Sequence, residues 1–288
     1  MTIFLQSLLS GVLIGGVYAL IGVGLTIIFG VMRIINFAHG ELVMLGMYAA
    51  YFLFTLGHVD PFVSIVFVFP LLFLFGALLQ KTVINRVLNA LPQNQILLTI
   101  GIGLILSNTM MLLFTSDYRI ISTRYSSASF QVGQISVSAP LLVSFVITAA
   151  VTAVLYWFLL KTDTGQAIRA TAQDRDAAQL MGVNVRRMSV LATGLGAGLA
   201  AVAGALISPT YYIFPQVGQP FTLKAFVIVV LGGMGSVMGA TVGGVLIGAT
   251  ESLAGAYISS GLKDLVVYVL FLLILLFKPA GLFGKSRV

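Results

Sequence analysis

Seven stretches of this chain carry no charged residue at all: 3–29, 42–57, 62–79, 95–114, 140–160, 188–208 and 225–250, with a shorter one at 265–277. A helix crossing a bilayer needs about 20 apolar residues, whereas a transmembrane strand needs about 9–11 of alternating polarity. These runs are long and continuous, as in 143–160, so they read as helices. The expected fold is therefore all-α: a polytopic membrane helical bundle of about 8 transmembrane helices. Composition agrees, because 59% of the residues are hydrophobic and only 8% charged. A sphere of this size cannot hide that much apolar surface from water, so its outer solvent is lipid. That excludes a soluble enzyme, a disordered chain and a nucleic-acid binder. The net charge of +7 is assigned to basic loops. With no cysteine there is no disulfide, thiolate metal site or Cys nucleophile. Nothing at the start resembles a cleaved signal peptide, since no basic residue precedes Arg33. The expected organisation is a single transmembrane domain over 1–288.

Lysine and arginine orient the loops. Residues 161–187 carry Lys161, Arg169, Arg175, Arg186 and Arg187, and the tail carries Lys278, Lys285 and Arg287. Both segments are placed in the cytoplasm, with 81–94, and the Ser-rich 115–139 outside. Parity then conflicts with a single crossing by 225–250, because the basic tail would end outside. The conflict disappears if that run folds back on itself, giving 8–9 helices. Its middle holds Gly232, Gly233, Gly235 and Gly239, and glycine disfavours helix interiors while permitting tight turns. Two helices meeting at 232–238 are expected, with one long flexible helix as the alternative.

Residues 30–41 are a second irregularity. Arg33, Asn36, His39 and Glu41 stand between two apolar runs, yet the segment stays half apolar. Non-helical backbone at membrane depth is tolerated only where protein buries it or water lines it, and broken helices mark substrate sites in transporters. A translocation-path element and a surface loop or interfacial helix are both open readings. In a path, Asn36 and neutral His39 offer hydrogen bonds to a solute. Glu41 either meets an ammonium or is held structurally by Arg33 or a backbone amide cluster.

The loop 161–187 carries helix signals. Asp163 with Gln166 three residues on reads as a capping box, and Gly182 as a stop. One or two short amphipathic helices result, with alanines that allow close approach and charges that set register. Docking to another protein is favoured over lying in lipid headgroups, which usually needs more large anchors than Ile168, Leu180 and Met181. Asn108 reads as an interhelical hydrogen bond, His58 and Asp60 as solvated loop residues, and Glu251 as a helix-end residue able to snorkel.

The stretch Asp176-Ala-Ala-Gln-Leu-Met-Gly182 resembles the E-A-A-x-x-x-G loop of bacterial ABC importer permeases. Four further stretches occur in order: Arg33-Ile-Ile-Asn-Phe-Ala-His-Gly-Glu-Leu42, Thr164-Gly-Gln-Ala-Ile-Arg-Ala170, Gly232-Gly-Met-Gly-Ser-Val-Met-Gly239 and Lys278-Pro-Ala-Gly-Leu-Phe-Gly284. Together they are similar to the permeases of branched-chain amino acid (LIV-type) importers, over essentially the whole chain. Two departures stand out: Asp176 replaces the usual Glu, and the I-x-L-P ending is missing after Asn184. The resemblance implies a permease subunit, not an enzyme, in a bacterial inner membrane with a cytoplasmic C-terminus. It implies partners as well: ATP-binding subunits, a second permease subunit in a heterodimer, a substrate-binding protein and membrane lipid, with no nucleic acid and no cofactor. Arg169, Asp176, Ala177, Ala178 and Gly182 become the ATPase-coupling loop. Gly284-Lys285-Ser286 is not a P-loop, because that motif needs glycine where Pro279 stands. No cluster has metal-ligand or catalytic spacing. The competing class is an ion-coupled secondary transporter of a small polar solute, which needs ionisable groups within the membrane; the runs from 62 to 277 contain none. Branched-chain amino acids, urea and amides all remain open as the solute.

Overall fold

The computed structural model describes residues 2–88, 90–133 and 135–284. The main helices are α1 (Thr2–Met32), α2 (His39–Gly57), α3 (Pro61–Thr82), α4 (Pro92–Phe114), α5 (Ala139–Lys161), α6 (Asp163–Gln173), α7 (Arg175–Leu180), α8 (Val185–Ile207), α9 (Gly218–Gly232), α10 (Val237–Tyr257) and α11 (Lys263–Phe277). Seven helical segments are long and apolar enough to cross a membrane: α1, α2, α3 with the short 3-10 turn after it, α4, α5, α8 and α10. The fold is the expected all-α polytopic bundle. One departure lies in the loop 115–139, where β1 (Ser129–Val132) and β2 (Ile135–Ser138) pair antiparallel.

Helix starts follow local chemistry. Asp60 caps α3 by accepting from the Phe62 amide at 2.9 Å, ahead of Pro61 in the first turn. Asp60 also accepts from the Tyr125 hydroxyl at 2.6 Å, so it is a structural cap and not a solvated loop residue. Asn108 is likewise reassigned: its side-chain amide donates to the Leu104 carbonyl of its own helix at 2.7 Å and is exposed.

Burial sorts the helices. α1 is the axis of the bundle, buried over 89% of its most apolar window, and packs on α10, α8, α9 and α5. Helices α4 and α5 are only 22% and 17% buried by the same measure and present their apolar surfaces outward. A helix apolar all round fits the interior of such a protein. Contact between α1 and α10 is backbone to backbone: a Cβ on Gly248 would lie 2.5 Å from the Gly11 carbonyl oxygen, and one on Gly244 would meet the Ala19 backbone. Without a hydrophobic drive between helices in lipid, small residues supply association by close approach. Gly248→Leu is therefore expected to destabilise the bundle by at least about 1–3 kcal/mol through overpacking. A lowered thermal midpoint in detergent checks this, and an unchanged midpoint contradicts it.

The loop 161–187 and the described part of the tail share one end of the bundle, while Lys285 and Arg287 lie outside the described residues. A Cβ on Gly30, near the end of α1, would sit 3.4 Å from Ala172 of α6 and 3.8 Å from Gly235. Leu282 and Phe283 donate backbone N–H groups to Leu231 and Gly232 at 2.7 and 3.2 Å, so residues 278–284 lie there too. The β-hairpin side is the opposite end: the Gln6 side chain there accepts from the Ser136 amide at 2.8 Å.

Candidate translocation site

The segment 33–38 is a break that climbs. α1 ends at Met32, Arg33 takes φ +55, and helix resumes only at His39. The His39 Nε2 lies 3.0 Å from the Ile21 carbonyl. Ile21 precedes the end of α1 by eleven residues, or about 16 Å at 1.5 Å per residue. The chain therefore turns back along α1 and starts α2 well inside the bundle. Protein buries this non-helical backbone, with Ile34, Asn36 and Ala38 all inside. Asn36 shapes the new start: its Oδ1 accepts from the Ala38 amide at 3.0 Å and its carbonyl from the His39 amide at 3.2 Å.

A second helix begins at the same depth. After α8 the chain dips back inward, and α9 starts at Gly218 beside the first turn of α2. The Gly40 amide donates to Thr222 Oγ1 at 3.0 Å. A Cβ on Gly218 would stand 2.5 Å from Glu41 Oε2 and 2.8 Å from the Gly40 carbonyl oxygen, so only glycine admits the carboxylate there. The two helix starts border a cavity of about 270 Å³ lined by Phe37, Glu41, Ile100, Gly103, Leu104, Ser107, Gln219, Thr222 and Leu223.

The four residues singled out in 33–41 do not form one group. Asn36, His39 and Glu41 gather at the start of α2, whereas Arg33 is exposed near Gly30, Ala172 and Gly235. Neither Arg33 nor a set of amides holds Glu41: its Oε2 is buried with no hydrogen-bond partner among the described residues. The climb separates the two, since Arg33 lies below it and Glu41 above. His39 is wholly buried, with Nδ1 unpartnered.

In 161–187, α6 starts one residue earlier than the capping box suggested. Thr162 is the cap, its Oγ1 accepting from the Gly165 amide at 3.0 Å, while Asp163 is the first helical residue. Gln166 does not reach back to the cap; its amide points to the Leu160 carbonyl at 3.4 Å. Asp174 caps α7 through the Asp176 and Ala177 amides, both at 3.0 Å. Gly182, at φ +85, ends it. Arg169, Asp176, Ala177 and Gly182 are exposed, but Ala178 is buried within the chain. The free apolar surface is instead Leu180 and Met181, 89% and 84% exposed. An arginine at Ala178 would thus disrupt the loop's own packing.

At the glycine stretch, α9 ends at Gly232 and α10 begins at Val237, with Gly233 and Gly235 at φ +97 and +88. Gly232 and Gly239 meet backbone to backbone across this turn, and Gly233 leaves room for the Gly284 amide.

Sequence reasoning missed a charged cluster. The run 225–250 has Lys224 and Glu251 at its two borders, and the fold-back brings them together with Nζ to Oε2 2.8 Å, both buried. Lys263 Nζ lies 2.7 Å from Glu251 Oε1, and Asp264 Oδ1 3.2 Å from Lys224 Nζ. Lys224 also donates to the Tyr18 hydroxyl at 3.3 Å, itself 3.2 Å from that of Tyr211. Glu251 is therefore an internal ion-pair partner rather than a snorkelling helix end, and ionisable groups do occur inside the bundle. The available signal was the pairing of a fold-back with charges at both ends of the run.

Two interrupted helices meeting inside a multi-pass bundle, beside a small and mostly apolar cavity, define a membrane transport protein. A family model described as the branched-chain amino acid transport system permease component matches residues 7–275, and the chain belongs to that family. It is similar to the high-affinity branched-chain amino acid transport system permease protein LivH of Salmonella typhimurium, 32% identical over 99% of this chain and 97% of the relative. BraD of Pseudomonas aeruginosa, described in the same words, is also 32% identical over 99% and 97%. A probable branched-chain amino acid transport permease protein, LivH of Methanocaldococcus jannaschii, is 28% identical over 97% and 92%.

Proposed function

We propose that this chain is the permease subunit of an ATP-driven ABC importer in a bacterial inner membrane, passing branched-chain or related small amino acids delivered by a binding protein. The family match over 7–275 carries this reading, because it takes in both the 33–41 break and the 161–187 loop. The whole of 1–288 acts as one permease domain, with ATP hydrolysis in separate subunits. The 161–187 loop and the C-terminal segment face the cytoplasm, in keeping with the basic content of both in the sequence and with residues 278–284 lying at the loop's end of the bundle. Leu180 and Met181, flanked by Arg169, Asp176 and Ala177, supply the surface for an ATP-binding subunit. Asn36 and His39 shape the start of α2, Glu41 faces the solute, and Gly232, Gly233, Gly235 and Gly239 keep the α9–α10 turn tight. Arg33 lies at the cytoplasmic mouth. The cavity opens past Ile100, Leu104 and Leu223, all exposed and apolar, so a second, related permease chain closes the path.

Among the described residues, the Lys224–Glu251–Lys263–Asp264 cluster and the buried Glu41 are the observations that favour an ion-coupled carrier. The cluster's two cations and two anions balance, so it needs no exchanged proton. Reconstitution with co-encoded ATP-binding subunits, partner permease and binding protein decides the matter. Leucine uptake is expected to require ATP and to ignore protonophores; uptake driven by a proton gradient without the ATP-binding subunits overturns the proposal.

A further inference from the structure

Among the described residues, Glu41 is a buried carboxylate with no ion-pair partner. It is 4% exposed, and its Oε2 accepts no hydrogen bond from any described residue. The ion pairs among the described residues all lie in the separate Lys224 cluster. Burying a carboxylate without a partner is costly. Two features stabilise the negative charge without filling its lone pairs: Glu41 sits in the first turn of α2, and its oxygen abuts Gly218, the first residue of α9. Positive helix ends therefore face it from both sides. Its remaining side is the cavity, whose walls are apolar at Ile100, Leu104 and Leu223 and polar at Ser107 and Gln219. About 270 Å³ lies near the small end of the roughly 300–1,000 Å³ typical of ligand pockets.

Resting on the translocation reading above, we propose that Glu41 is the specificity-determining residue of this cavity and receives the ammonium group of the solute. Oε2 is closed off against Gly218, so the cargo meets the carboxylate on its cavity side. An ammonium supplies three donors, the apolar wall takes a compact aliphatic side chain, and the Gln219 amide offers a donor to a carboxylate. The site selects amino acids and alkyl amines over ureas, amides and polyols of equal size, which leave the buried charge unpaired.

The test uses the assembled transporter and the absence of native cysteine in this chain. Ser107→Cys places a thiol in the cavity wall, and its modification by a small water-soluble thiol reagent is read on this chain's own gel band. Leucine, leucinamide (ammonium without carboxylate) and isocaproate (carboxylate without ammonium) compete separately, without the binding protein. Leucine and leucinamide are expected to protect the thiol, and isocaproate not to. Glu41→Gln in the same background is expected to weaken protection by leucine at least about tenfold, the effect of losing one charge-assisted hydrogen bond. If Glu41→Gln fails to assemble, the three-ligand comparison with Glu41 intact still decides. Protection by isocaproate equal to that by leucinamide, or undiminished leucine protection in Glu41→Gln, overturns the proposal. ATP-dependent leucine uptake by the transporter without substitution is measured in parallel. Its absence counts against the importer reading, whereas uptake without ammonium discrimination at the thiol counts against the role of Glu41 alone.

Discussion

Glu251→Leu is expected to be the most destabilising single substitution in the membrane core. Glu251 contacts Lys224 at 2.8 Å and Lys263 at 2.7 Å. Lys224 is 6% exposed and cannot hydrate its charge where it lies. Breaking a buried pair by removing one partner typically costs about 3–5 kcal/mol, because the other charge stays buried. Lys263 and Asp264 are 35% and 45% exposed at the side chain and retreat to water more easily. The double variant Lys224→Met with Glu251→Leu removes both buried charges, so it is expected to recover much of the loss. Thermal unfolding in detergent checks both statements. A double variant as unstable as the sum of the two singles would show that the pair does not couple. The cluster thus clamps α9, α10 and α11 to α1, through the Lys224–Tyr18 hydrogen bond, and fixes where α9 starts beside Glu41.

Leu180→Glu combined with Met181→Glu is expected to uncouple transport without unfolding the chain. Both side chains are almost fully exposed and end the short helix α7 at the rim of the bundle. If an ATP-binding subunit covers them, each acts as an apolar anchor worth about 2 kcal/mol or more, roughly thirtyfold in affinity. The charged pair is expected to lose the ATP-binding subunits on purification and to abolish ATP-dependent uptake, while the chain's own thermal midpoint stays put. Retained subunits and unchanged uptake would place the coupling contact elsewhere. Ala178→Arg is expected to lower the midpoint itself, because Ala178 packs inside its own loop.

The residue order by itself determined which segments are helices apolar enough to cross a membrane, because partitioning between water and hydrocarbon acts on each stretch where it stands; which of them face lipid was decided by packing, since α1 is as apolar as α4 and α5 yet buried. It also pointed to a break within 232–238, found at 233–236, since the glycines that permit a tight turn are adjacent in the chain, and to an irregularity within 30–41, found at 33–38. The capping of α6 by Thr162 in place of Asp163 shows how local competition shifts an edge by one residue. The tertiary structure alone decided that 33–38 climbs along α1 to the level of Ile21, which separates Arg33 from Glu41 and leaves the carboxylate facing a cavity. It alone decided that Ala178 is inside while Leu180 and Met181 are outside, and that Lys224 meets Glu251. Each of these depends on two segments distant in sequence reaching the same depth, and the energy of such a meeting exists only once both are packed.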